Sequence, residues 1–176
     1  MSVKTIFLVL ALSVFTPLPG HAQETWTVGL RGGFSAKDVD HEDFQQYELF
    51  AAYPLPWSWQ STSGWTLATR LNGAAGALRD DQKSGFIGSL GPAVVLGKAG
   101  LPVSLEIGTA PTVLSRSHFN GADLGDKFHF TSHAGIHIQF GEVLDAGYRY
   151  QHMSNASLDN TNPGLNMHMF WLGYRF

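Results

Sequence analysis

The sequence predicts an all-β fold: an eight-stranded antiparallel up-and-down transmembrane β-barrel. Three observations lead there. Apolar and polar residues alternate with period 2 in about eight segments, with no sustained 3.6-residue pattern between them. Charged residues make up only 14% of the 176, against 20 glycines and 12% aromatics. That is well below the roughly 25% charge of ordinary soluble domains. Mean hydropathy is −0.04 and the chain after residue 22 has no apolar run approaching the ~18 residues of a membrane helix. Alternating barrel strands, by contrast, average to near zero hydropathy.

Taken in order, the first element is an N-terminal address. Lys4 supplies a positive start, and Thr5 to Phe15 is an apolar run too short to span a bilayer. Pro17, Pro19 and Gly20 break it, and Gly20-His21-Ala22 places small residues at the −3 and −1 positions of a cleavage site. A buried N-terminal helix is the competing reading, and the prolines argue against it. Residues 1–22 are therefore read as a signal peptide and 23–176 as one barrel domain outside the bacterial cytoplasm.

Trp26, Val28, Leu30, Gly32 and Phe34 share one parity against Thr27, Gly29, Arg31 and Gly33. Residues 47–55 set Tyr47, Leu49, Ala51, Tyr53 and Leu55 against Glu48, Phe50 and Ala52, and 65–78 sets Trp65, Leu67 and Leu71 against Arg70. Weaker segments lie at 86–96 and 101–113, and the clearest at 127–139, 143–154 and 166–176. The spacing is about 19 residues per strand and connection, which suits a small closed barrel. A soluble sandwich or lipocalin-like barrel would also alternate but would turn its charges outward. Here the second face carries Arg31, Glu48, Arg70, Glu106, Arg149 and Arg175, while the apolar face ends in aromatics, as interfacial girdles require. The final strand closes on Phe176 with Tyr174, Leu172 and Phe170 on its face, which resembles the C-terminal signature of bacterial outer-membrane barrels.

With both ends periplasmic, the stretches 37–43, 79–84, 115–125 and 155–165 face outside. Of the intervening turns, 58–64 is unexpectedly long. Net charge is −3, which gives no basic footprint for nucleic acid, and the absence of cysteine removes disulfides, thiolate metal sites and thiol nucleophiles. His129, His133 and His137 are four apart; on a strand they share a face but successive ones stand about 13 Å apart, too far for one ion. They read as lumen filler, so no metal and no cofactor is expected. The charged inner residues are expected to form a lumenal polar network. Gly73-Ala74-Ala75-Gly76 lies in a strand and offers no phosphate loop.

The seventh segment carries the chemistry. Leu144, Ala146, Tyr148, Tyr150, His152 and Ser154 share a parity; Asp145, Gly147, Arg149, Gln151 and Met153 form the lumen side. An apolar lipid-facing row thus ends in a histidine and a serine about 7 Å apart between Cα atoms, a general base beside a nucleophile. A lone His-x-Ser usually signifies only a solvated interfacial pair; its surroundings matter more. The stretch Tyr150-Gln151-His152-Met153-Ser154-Asn155-Ala156, then Asn162-Pro163-Gly164-Leu165 and a final strand ending at Phe176, resembles the lipid A 3-O-deacylase family (PagL type), closely over about 143–176 and only in architecture before that.

The resemblance implies an outer-membrane serine esterase that removes the 3-O-linked acyl chain of lipid A in lipopolysaccharide from a site on the outer wall. It implies Ser154 as nucleophile and His152 as base, with Asn155, Asn162 and Gly164 at the oxyanion and substrate. The family places a glutamate twelve residues after the serine to hold the histidine; this sequence has Asn166 there. An amide oxygen can fix the imidazole tautomer but brings no charge to stabilise imidazolium. Asp159, in the last loop, is left open as a substitute acid; Glu142 lies about 33 Å along the strand from His152, Asp145 points into the lumen, and His168 reads as interfacial. The partners expected are lipid A/lipopolysaccharide, outer-membrane lipid and, left open, a second copy in a homodimer. The alternatives are a catalytically disabled lipid-binding or structural barrel of the same family, and an unrelated small adhesion or permeation barrel, for which eight strands leave little lumen.

Overall fold

In the computed structural model, residues 26–36, 43–120, 122–156, 158 and 163–176 are described. The expected signal peptide lies outside them. Eight strands form: β1 (Thr27–Ser35), β2 (Gln45–Gln60), β3 (Trp65–Arg79), β4 (Ser84–Lys98), β5 (Val103–Leu114), β6 (Phe128–Phe140), β7 (Leu144–Ser154) and β8 (Leu165–Arg175). Each pairs antiparallel with its chain neighbour, and β1 pairs with β8 from Thr27↔Arg175 to Ser35↔Met167, which closes the barrel. Closure leaves no free strand edge, so the ladder N–H and C=O groups pair between strands rather than with water.

The period-2 pattern falls on the two faces as the alternation predicts. Leu30, Leu49, Ile107, Phe170 and Leu172 are all more than half exposed, while Arg31, Glu48, Glu106 and Arg149 are buried. An exterior of large exposed apolar side chains around a charged interior suits a lipid surround and is the inverse of a soluble barrel.

The long turn expected at 58–64 is instead a short one. Strand β2 continues to Gln60, and its register shifts between Pro54, opposite Arg70, and Ser58, opposite Ala68. Three residues of β2 thus face one of β3. The bulge absorbs Pro54 and Pro56, which have no N–H for the ladder, and the Thr69 hydroxyl donates to the Trp57 carbonyl across it at 2.9 Å. The strand read as ending at Leu55 thus runs on, kinked, through the prolines to Gln60.

The interior has two zones. Mid-barrel, Arg31 pairs with Glu48 at 2.7 Å, Gln46 donates to the other Glu48 oxygen at 2.7 Å, and Arg149 donates to Gln151 at 2.6 Å. Glu106 is held by histidines rather than arginines: His133 and His137 reach its two oxygens at 3.0 and 3.3 Å, and Asn72 donates to it at 3.0 Å. Two of the three evenly spaced histidines thus converge on one carboxylate, each from its own side. Towards the end that carries the longer connections the interior is apolar. Phe44, Leu78, Ile87, Leu114, Phe119, Ala122, Leu124, Met153, Leu165, Met167 and Met169 form one buried cluster.

That cluster includes three residues of the β5–β6 connection. The connection folds inward as a small hairpin, with Phe119 N–H bonded to Ala122 O and Leu124 N–H to Ser117 O, and sets Phe119 edge-on to Phe44 at 5.0 Å. Each large side chain buried there contributes about 1.5–3 kcal/mol. Met153, Leu165 and Met167 lie on the inner face directly behind the end of β7 and the start of β8, so the wall that carries the candidate site has an apolar, packed backing.

Candidate active site

Strands β7 and β8 place the site through their register. His152 stands opposite Asn166, with Tyr150 opposite His168 one step along. Both members of the His152–Asn166 pair project outward, because Gln151, Met153, Leu165 and Met167 on the alternate positions are buried. The imidazole Nδ1 and the Asn166 Oδ1 are 2.8 Å apart. An amide oxygen only accepts, so this bond puts the proton on Nδ1 and leaves Nε2 with its lone pair. Ser154 is the next outward residue on the strand and half-buried. Among the described residues the hydrogen-bond partner of the imidazole is the Asn166 amide, not the Ser154 hydroxyl; a two-residue step on one strand face separates the latter pair.

Just past Ser154 the chain leaves the strand abruptly. Ala156 has φ +53°, the described non-glycine residue in the left-handed region, and the Leu158 N–H bonds back to the Asn155 carbonyl at 3.0 Å. Asn155 itself is fully buried on the inward parity. Asn162 and Asp159 lie outside the described residues. Gly164 sits where the chain re-enters β8. Its φ is +67°, and its backbone is so close to the imidazole that a Cβ added there would be 2.9 Å from His152 Cε1. Glycine therefore both adopts the turn and makes room for the ring.

The other candidates are accounted for elsewhere. Asp145 is inside, 3.5 Å from Arg175, whose Nε also donates to the Glu142 carbonyl in the opposite-end turn. His168 is more than an interfacial side chain: its Nδ1 is 2.8 Å from the Tyr148 hydroxyl, and its ring packs against Tyr148, Tyr150 and Phe34 at 5.5–5.9 Å between centroids. Sequence reasoning missed Ser132 and Thr109. Ser132 is the cross-strand partner of His152 on the side away from Asn166, and Thr109 in turn pairs with Ser132. The available signal was a serine on the outward parity of β6 among Phe130, Ala134, Ile136 and Ile138.

The curated relative "Lipid A deacylase PagL" of Bordetella bronchiseptica is 33% identical over 72 residues, a stretch of 41% of this chain and 40% of the relative, so the match spans about two fifths of that protein's length. The solved structure titled "Crystal structure of the outer membrane enzyme PagL" superposes with a TM-score of 0.71 over 84% of this chain and 97% of that one; at 21% identity it speaks for the fold. The sequence pattern of the family described as "Lipid A 3-O-deacylase (PagL)" matches residues 45–175, through all but the first strand. The chain belongs to the lipid A 3-O-deacylase (PagL) family.

Proposed function

We propose that this protein is an outer-membrane serine esterase that removes the 3-O-linked acyl chain from lipid A, with Ser154 as nucleophile and His152 as base. The observation that carries this reading is the imidazole of His152, outward on a lipid-facing wall, tied through Nδ1 to the Asn166 amide at 2.8 Å with Ser154 next on the same face. The barrel sits in the outer membrane with these groups near the end that carries the longer connections, at the lipopolysaccharide leaflet.

The Nδ1–Asn166 bond presents Nε2 as the acceptor for the Ser154 proton. As that proton moves to Nε2, Ser154 Oγ bonds to the ester carbonyl carbon and the carbonyl oxygen becomes an oxyanion. Asn155 and Gly164, with Asn162 as the family resemblance implies, are the residues proposed to supply the donors that would hold it. Collapse breaks the bond from the carbonyl carbon to the sugar oxygen, and the imidazolium returns its proton to that oxygen. Water, deprotonated by the same imidazole, then releases the fatty acid and restores Ser154. No step uses a metal or cofactor. Where the family motif has glutamate, Asn166 orients the ring without countering its charge, which favours a slow enzyme. Hydrogen bonds of such sites tighten when substrate arrives, so the His152–Ser154 bond is expected in the complex.

Mass spectrometry of lipid A from cells expressing wild type, Ser154→Ala and Asn166→Glu tests the reading. Loss of one 3-O-acyl chain with wild type, none with Ser154→Ala and faster loss with Asn166→Glu is the expected result. Deacylation by Asn166→Glu alone identifies a disabled enzyme; unchanged lipid A in all three makes the barrel non-catalytic.

A further inference from the structure

Asn166 stands where the ladder between β1 and β8 runs out. The last pair is Ser35↔Met167, and one step further the Ala36 N–H donates to the Asn166 carbonyl at 2.8 Å. On the other side of β1 the ladder has already ended, at Phe34↔Gln45. Beyond it Phe44 straps the end of β1: its carbonyl accepts the Ser35 N–H at 2.8 Å, and its own N–H donates to the Ser35 hydroxyl at 3.0 Å. Strand ends open at little cost in free energy. The seat of Asn166, and through its 2.8 Å bond that of the His152 imidazole, is therefore only as firm as Phe44.

Phe44 is held from inside the barrel. It is fully buried and meets the ring of Phe119 edge-on at 5.0 Å. Phe119 is not part of the wall; the hairpin of the β5–β6 connection carries it, and the β3–β4 connection tethers that hairpin. Asp80, itself buried, accepts the N–H groups of Gln82 and Lys83 on one carboxylate oxygen and that of Asn120, at 2.7 Å, on the other. Lys83 Nζ donates to the Phe119 carbonyl at 3.2 Å. Met153 and Leu165, each next in sequence to a residue of the outward pair, belong to the same buried cluster as Phe44 and Phe119. An unbroken series of contacts thus runs from Asp80 through Phe119, Phe44, Ser35 and Ala36 to Asn166.

We propose that Phe119 and Phe44 are positioning residues for the site on the outer wall: the tethered hairpin presses on Phe44 from within, holds the end of β1 against Asn166, and so fixes the tautomer and direction of the His152 ring. Both rings lie inside the barrel, on the opposite side of the wall from the imidazole. The catalytic consequence rests on the esterase reading, whereas the effect on the imidazole is independent of turnover.

The test uses the full barrel folded in detergent micelles, with isotope-labelled histidine for ring-nitrogen NMR and lipid A hydrolysis for kcat and KM. Loss of a signal in His152→Gln identifies that ring. Phe119→Ala is expected to mix the two His152 tautomers and to lower kcat on the order of tenfold, part of the hundredfold that a misplacement of about 1 Å costs. KM stays within about twofold, since ground-state binding is untouched. Phe119→Leu, which keeps an apolar side chain against Phe44, restores both readouts. Ile87→Ala also leaves a cavity in the same cluster, but on β4, which pairs with neither β1 nor β8. It should lower the unfolding midpoint and leave the His152 signal and kcat as in wild type. If Phe119→Ala does not fold, Asp80→Ala, which unties the hairpin without emptying the cluster, should give the same shift and loss. An unchanged His152 signal and kcat in a folded Phe119→Ala or Asp80→Ala protein, or equal losses in Ile87→Ala, overturns the proposal. If no protein cleaves lipid A but the His152 signal still responds to Phe119→Ala and not to Ile87→Ala, the esterase reading fails and the positioning role stands.

Discussion

Gly164→Ala isolates what holds the imidazole. The added Cβ would sit 2.9 Å from His152 Cε1, 3.7 Å from Nε2 and 3.8 Å from Nδ1, against one edge of the ring. Carbon atoms settle at about 3.5–4.0 Å, so ring and methyl must part by about 0.6–1 Å. The His152 Nδ1–Asn166 Oδ1 bond is 2.8 Å; displaced by that amount, it passes out of hydrogen-bonding range. A misplacement of about 1 Å costs on the order of 10²-fold in rate. The substitution also places a side chain at φ +67°, which costs about 1–2 kcal/mol of stability by itself. Gly141 separates the two effects: its φ is +64°, and a Cβ there meets nothing within 4 Å. Gly141→Ala should lose similar stability and keep its activity, whereas Gly164→Ala should lose stability and about a hundredfold in kcat. Lipid A deacylation rates and thermal unfolding of the two variants side by side give the answer. A Gly164→Ala protein that deacylates as fast as Gly141→Ala would refute the claim that this backbone seats the imidazole.

Other consequences can be measured directly. Glu48→Gln removes the carboxylate between Arg31 at 2.7 Å and Arg149 at 4.0 Å; leaving buried guanidinium groups without it should cost about 3–5 kcal/mol, read as a lower denaturant midpoint of the barrel. Ala156→Gly should stabilise the end of β7 by about 1 kcal/mol, because φ +53° is strained for alanine and free for glycine; a lower melting temperature would contradict it. Asp80 caps the β3–β4 connection and ties it to the inward-folded hairpin. Burial pushes its carboxyl up, but the N–H groups of Asn120, Lys83 and Gln82, with the Lys83 charge, together outweigh this and hold it below its ordinary 3.8. A lowered folded value means that the stabilisation is complete above 3.8 and lost as pH falls through the folded value. Amide exchange around Phe119–Ala122 should therefore accelerate under acid below that point, and Asp80→Ala should show the fast exchange at neutral pH.

The architecture was legible in the sequence because a barrel wall obliges each strand to alternate. A residue between lipid and lumen has no third environment, so parity alone assigns Leu30 outward and Arg31 inward, and His152 and Ser154 fall on the lipid side by the same count. The family resemblance pointed to Asn166, and the β7–β8 register shows that position to be the cross-strand partner of His152. Other features needed the closed structure. The run of β2 past Pro54 and Pro56 depends on the partner strand, since a bulge is a mismatch between two strands and cannot be written in one. The apolar plug of Phe44, Phe119 and Leu124 brings together segments that local pattern labels as loops, and only folding across the barrel mouth buries them. The contact of Gly164 with the ring, and the hydroxyl pair beside His152, arise from the register between neighbouring strands. Alternation along one strand determines which way a side chain faces, whereas what stands next to it across the wall is set by how all eight strands close on one another.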